Sequence, residues 1–158
     1  MLAAAAKRFQ DRPQARYLQR GLQELSQDSA ELGRFHFIVS SFAIHHLARP
    51  ERQQLFQMLP GHLEPRGWFL NIEVVMPDQA LFNDWYFQFW QEWIERRSRL
   101  LGLGDKFLDV PQQARANPDN QYSPLADQLS DLTTAGFADV ECFYKNGLFA
   151  IYAGRRLG

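Results

Sequence analysis

Two short apolar runs, Phe35-His36-Phe37-Ile38-Val39-Ser40 and Trp68-Phe69-Leu70-Asn71-Ile72-Glu73-Val74-Val75, flank a helix-like segment, and this alternation restricts the fold more than any other feature of the chain. Both runs are rich in β-branched and aromatic residues and short for helices, so each predicts a strand buried on both faces. Between them, Pro50-Glu51 suits a first helical turn, and Leu55, Met58, Leu59 and Leu63 supply an apolar stripe. Pro60 is expected to kink or divide that helix, and Gly67 to end the turn before the second strand. Strand, helix and strand in succession predict a parallel βαβ unit and an α/β fold class.

The C-terminal part carries a different signal. Val140 to Lys145 and Leu148 to Ala153 are strand-like, and Asn146-Gly147 between them suits a type I′ hairpin, so an antiparallel pair is expected to end the sheet. Ser123-Pro124 reads as an N-cap and first-turn proline, Leu125, Leu129 and Leu132 as a helical stripe, and Gly136 as its stop. Asp78 to Leu101 contains neither glycine nor proline and predicts one long helix; the proline-containing stretch from Gly102 to Tyr122 predicts a long loop. Nearer the N-terminus, Met1 to Phe9 favours helix, Ala15 to Gln19 suits a short strand, and Gly21 to Leu32 is a polar connector with weak helical character.

Composition narrows the function classes. Seventeen Lys and Arg against 18 Asp and Glu give a net charge of −1, so no overall basic field gathers nucleic acid or anionic lipid. The single Cys142 excludes an intrachain disulfide framework and any multi-cysteine zinc site. Lys7 and Arg8 interrupt the apolar N-terminus, and no apolar run reaches the roughly 18 residues of a membrane span, so a cytoplasmic location is expected.

Three motifs in order carry a family resemblance. FHFIVSSFAIHHL, from Phe35 to Leu47, resembles the fourth strand and following loop of class I S-adenosylmethionine-dependent methyltransferases, often FDxIxSSxAIHHL. His62 to Leu70 resembles the xLxPGGxxL leading into that family's fifth strand, and Ala135 to Val140 its AGFxxV before the last two strands. The resemblance implies a Rossmann-like fold of usual strand order 3-2-1-4-5-7-6. Here it is incomplete: third to seventh strands only, with the C-terminal antiparallel hairpin and a long aromatic-rich helix inserted after the fifth strand. Residues 1–158 are then expected to form one N-terminally truncated domain, with 78–123 as a helix-plus-loop lid.

The same resemblance implies S-adenosylmethionine as cofactor and methyl transfer to a small-molecule acceptor. The family's glycine-rich loop after its first strand has no counterpart here. Gly102-Leu103-Gly104 follows a polar helix and reads as a helix-terminating loop, Gly21 stands nearest a usual adenine-binding aspartate, and His36 replaces another common aspartate. Weak or absent cofactor binding by this chain is therefore expected. The alternative reading is a truncated or degenerate, non-catalytic remnant acting as a binding or dimerising module.

By resemblance, Ser40, Ser41, Phe42 and His45 are candidate cofactor contacts at the C-terminal edge of the sheet, although the serines could simply end a strand and Phe42 could be core. His46 and Glu73 are candidate catalytic groups, since each could accept a substrate proton; packing and a solvated strand end are the plainer alternatives. Adjacent histidines on a strand point to opposite faces and find no third ligand, so no metal is expected. Asn71, Trp85, Phe89 and Tyr144 are candidate substrate contacts. Seven aromatic residues between Phe82 and Trp93 exceed one packing stripe and suit core, a lid over an apolar or aromatic substrate, or a subunit interface. A second copy could pair through that helix or through exposed sheet edges.

Overall fold

A computed structural model describes residues 2–27 and 32–158. The expected helix start at Met1 and the middle of the 21–32 connector lie outside the described residues. In chain order the elements are α1 (Leu2–Arg8), α2 (Leu22–Gln27), β1 (Phe35–Ser41), α3 (Arg49–Met58), β2 (Leu63–Val74), α4 (Asn83–Leu101), α5 (Val110–Ala116), α6 (Leu125–Thr134), β3 (Phe137–Asn146) and β4 (Phe149–Arg156). The sheet order is β1-β2-β4-β3, with β1 parallel to β2 and the other neighbours antiparallel. This is the order expected of the fourth, fifth, seventh and sixth strands.

Residues alternate between the two faces of a strand, so the register fixes which side chains reach the core. Ile38, Phe69 and Tyr152 lie on one face, against Leu55, Phe56, Leu59 of the α3 region and Leu132 of α6. Each of these side chains, when fully buried, contributes about 1.5–3 kcal/mol. A buried ionic cluster pins the same two helices together. Arg52, only 1% exposed, donates to Asp131 at 2.9 Å and to Ser123 Oγ at 2.8 Å. Gln53 and Arg49 donate to the same carboxylate at 2.8 and 3.2 Å. The opposite sheet face is covered at one end, where Phe87 and Trp90 of α4 pack on Val74, Leu148 and Phe149.

Several expectations are corrected. Ala15 to Gln19 is not a strand: Tyr17 and Leu18 are exposed and no neighbouring strand pairs with them, so four strands rather than five form among the described residues. β1 is half-buried on one face, through Ile38 and Ser40, and open on the other, since Phe37 is 68% and Val39 62% exposed and its outer edge is unpaired among the described residues. Leu63 opens β2 instead of ending the α3 stripe, because a short 3-10 turn, Leu59–His62, with Pro60 in its first turn, follows α3. Gly67 lies within β2, where an added Cβ would meet the carbonyl oxygens of Glu64 and His36 at 2.9 and 3.0 Å. The long helix begins at Asn83 after a 3-10 turn, Ala80–Phe82, and ends at Gly102 in the left-handed region. The expected 102–122 loop contains α5, started by Pro111.

Two local signals act differently from their usual roles. Ser123 does not cap α6, because its hydroxyl accepts from Arg52 and Pro124 occupies the N-cap position. The β3–β4 turn is Gly147-Leu148, and only Gly147 has positive φ, so glycine leads the turn as type II′ requires instead of type I′. The chain leaves and re-enters the sheet region at one point: Met76 donates to the Ser123 carbonyl at 3.0 Å and bridges Pro124. Among the described residues, no helix is long and apolar enough to cross a membrane.

Candidate functional site

The strand β1 ends in a 3-10 turn, Ile44–His46, and local packing sets its orientation. Ile44 and Leu47 are three residues apart and both buried, as the three-residue period of such a turn allows. The histidines between them are therefore not on opposite faces of a strand; their ring centroids lie 4.2 Å apart. Just before the turn, Phe42 adopts a positive φ of 49°, and its N–H donates to the Ile72 carbonyl at 2.9 Å.

His45, not His46, meets Glu73. Glu73 is fully buried near the end of β2, and three N–H groups converge on its carboxylate. The His45 backbone N–H donates to Oε2 at 3.0 Å, the Val74 N–H to Oε1 at 2.8 Å, and His45 Nδ1 to Oε1 at 2.5 Å. An ionised carboxylate only accepts, so the proton of a neutral His45 sits on Nδ1 and leaves the Nε2 lone pair available. Among the described residues, Nε2 has no hydrogen-bond partner.

The loop after α5 covers this pair. Gln121 donates its backbone N–H to the His45 carbonyl at 2.6 Å, and the Tyr122 ring lies 5.3 Å from the His45 ring. Burial, reinforced by the negative charge of Glu73, raises the Tyr122 phenol above its ordinary pKa, against an opposing hydrogen bond from Asn120. His46 is exposed, and beside its ring contact with His45 its side chain makes a long contact, 3.4 Å, to the Asp119 carbonyl. Tyr122 was absent from the sequence-derived candidates because no local pattern connects it with His45.

The candidate substrate residues separate into three places. Phe89 and Tyr144 line a cavity of about 400 Å³ between α4 and the outer sheet face, together with Phe42, Trp90, Trp93 and Phe149. Asn71 lies on the opposite face, fully buried, donating to Tyr152 Oη at 2.7 Å while Tyr152 donates to Gln128. Burial pushes the Tyr152 phenol far above its ordinary pKa. Trp85 is exposed beside Phe82 and Tyr86, outside the cavity lining. Ser40 and Ser41 line a separate apolar groove of about 340 Å³ beside α2 and α3, where Ser40 Oγ is buried without a partner. Phe42 thus belongs to the aromatic cavity and His45 to the carboxylate pair, away from that groove lining.

No family model and no curated protein matches the sequence. Solved structures do match. The S-adenosylmethionine-dependent methyltransferase SibL, in its apo form, superposes with a TM-score of 0.65 at 17% identity, over 99% of this chain and 41% of that one. An O-methyltransferase family protein from Burkholderia thailandensis gives 0.63 at 15% identity, again over 99% and 41%. This chain has the fold of a methyltransferase C-terminal portion. Human N-acetylserotonin methyltransferase in complex with SAM also matches, with a TM-score of 0.51 at 14% identity over 78% of this chain and 30% of that one. The chain thus spans about two fifths of the length of the first two of these methyltransferases.

Against the cofactor implied by this methyltransferase fold, the residues present fit one end at most. The unpartnered Ser40 Oγ offers a polar anchor in an apolar groove suited to a flat ring. Among the described residues, no carboxylate lines that groove to meet ribose hydroxyls, and Gly102-Leu103-Gly104 ends α4 instead of following a strand. The described residues therefore do not fit the whole cofactor.

Proposed function

We propose that this chain forms the acceptor-handling side of an S-adenosylmethionine-dependent methyltransferase acting on a small molecule. One observation carries the reading: the 2.5 Å contact between His45 Nδ1 and a fully buried Glu73 at the C-terminal edge of the sheet. In open α/β sheets that edge is where ligands are held. Glu73 fixes the ring and its tautomer, so Nε2 takes the proton from an acceptor hydroxyl or activated carbon. The resulting imidazolium keeps its Nδ1 proton on the carboxylate. Tyr122 and Gln121 hold the ring in place and limit water above it.

A second reading, a non-catalytic binding or dimerising module, draws support from the cofactor residues that the described chain does not supply. A second copy pairing on the open β1 edge or the exposed aromatics of α4 belongs to that reading, and a cytoplasmic location suits the lone, unpaired Cys142. Labelled S-adenosylmethionine and 2-naphthol distinguish the two readings. The first reading requires labelled 2-methoxynaphthalene to form in spite of the incomplete cofactor site, and its yield to fall about 10²–10⁴-fold in His45→Ala and Glu73→Gln. Calorimetry without detectable cofactor binding favours the second reading, whereas cofactor binding without any label transfer overturns the first.

A further inference from the structure

We infer that the cavity between α4 and the outer sheet face binds a flat, uncharged aromatic molecule carrying an oxygen that accepts one hydrogen bond. Its role as methyl acceptor rests on the function proposed above; the binding itself does not. A volume of about 400 Å³ lies within the range of small-molecule pockets, roughly 300–1,000 Å³. The walls are rings held at right angles: Phe149 stands edge-on to Phe42 at 6.1 Å and to Trp90 at 5.2 Å, each with an interplanar angle of 87°. A planar guest can continue that edge-to-face packing, which favours aromatic pairs beyond the area they bury.

Backbone strain points to the same place. Phe42 is a bulky residue in the left-handed region, and its φ of 49° sets a wall of the cavity. Such strained residues cluster at ligand clamps, where the surrounding structure holds them.

Polarity sets the remaining chemistry. No acidic or basic side chain lines the cavity. The nearby Lys145 ammonium is engaged by Tyr86 Oη at 3.3 Å and the Gly147 carbonyl at 3.0 Å. A charged guest would lose its hydration without a compensating partner. Tyr144 and Asn146 are polar residues at the wall; the Tyr144 hydroxyl accepts from Asn146 Nδ2 at 3.2 Å and retains its own proton for a ligand oxygen.

Calorimetric titration of 2-naphthol into the full chain tests this. Saturable binding of one molecule per chain is expected. Tyr144→Phe should weaken it roughly fivefold, the loss of one ordinary hydrogen bond of about 1 kcal/mol. Ile72→Trp should abolish binding by filling the cavity floor, and the 2-naphthoate anion should bind at least about tenfold more weakly than 2-naphthol. Because Ile72→Trp could disturb folding, Tyr144→Phe and the anion comparison decide the matter independently. Non-saturable binding, equal affinity of parent and Tyr144→Phe, or tighter binding of 1-decanol overturns the inference. Saturable 2-naphthol binding without methyl transfer upholds the site and counts against the proposed function alone.

Discussion

Replacing Asp131 with Ala should be the most damaging single polar substitution in the protein. The carboxylate accepts from Arg52, Gln53 and Arg49, and Arg52 is 1% exposed with its Nε already unpartnered. Without Asp131 the buried guanidinium keeps only the Ser123 hydroxyl as a side-chain partner among the described residues. Breaking a buried pair from one side costs about 3–5 kcal/mol, a large share of the roughly 5–15 kcal/mol that holds a domain folded. With a urea dependence of about 2 kcal/mol per molar, the unfolding midpoint should fall by about 1.5–2.5 M. A loss below about 1 kcal/mol would refute the assignment of α3–α6 docking to this cluster, and the double variant Arg52→Met/Asp131→Leu should recover most of the loss. Acid supplies an independent check. Burial alone would raise the Asp131 pKa, but hydrogen bonds from Gln53, Arg52 and Arg49 outweigh it and hold the carboxyl below its ordinary value. Its stabilisation is therefore complete above the unfolded pKa, about 3.9, and fades as pH falls through the lower folded value. The deficit of Asp131→Ala should shrink over the same acid range.

Three further outcomes follow from the packing and titration. Gly154→Ala places a Cβ at 2.9 Å from that of buried Phe137, and should lower stability by about 1–3 kcal/mol, seen as a melting decrease of about 2–4 °C for each kcal/mol. Tyr152 and Tyr122 have raised pKa values, so in a spectrophotometric titration they should ionise above the pH at which they do so in the urea-unfolded chain. The linked stability is complete below about pH 10, the unfolded pKa, and is lost as pH rises towards the folded values. Under the dimerising reading, Phe37→Lys on the exposed face of β1 should reduce concentration-dependent association in sedimentation runs while changing folding stability by less than about 0.5 kcal/mol.

The parts legible in the sequence were those whose signals are local. Hairpin turn chemistry and the βαβ alternation located β1 to β4, because each signal acts within a few residues of its cause. Ala15 to Gln19 has strand-like composition, but pairing needs a neighbour that the composition does not reveal. The sequence offers both His45 and His46 after β1, and only the fold of the turn shows that His45, not His46, meets Glu73. The buried Ile44 and Leu47, three apart, were the available sign of a 3-10 turn. Tyr122, the Phe149 wall and the displacement of Asn71 from the substrate region all depend on contacts between distant segments, which periodicity does not encode.

The closure at Met76 and Ser123 has a consequence for how such a protein can diversify. Because the segment between them departs and returns at hydrogen-bonded neighbours, the sheet register does not depend on its length or sequence. His45 lies in the turn after β1 and Glu73 in β2, whereas Phe89, Trp90 and Trp93 belong to this excursion. Exchanging the 77–120 segment between related chains is therefore a route to new ligand preference that leaves Glu73 on β2, His45 in the turn after β1, and Gln121 and Tyr122 over the pair.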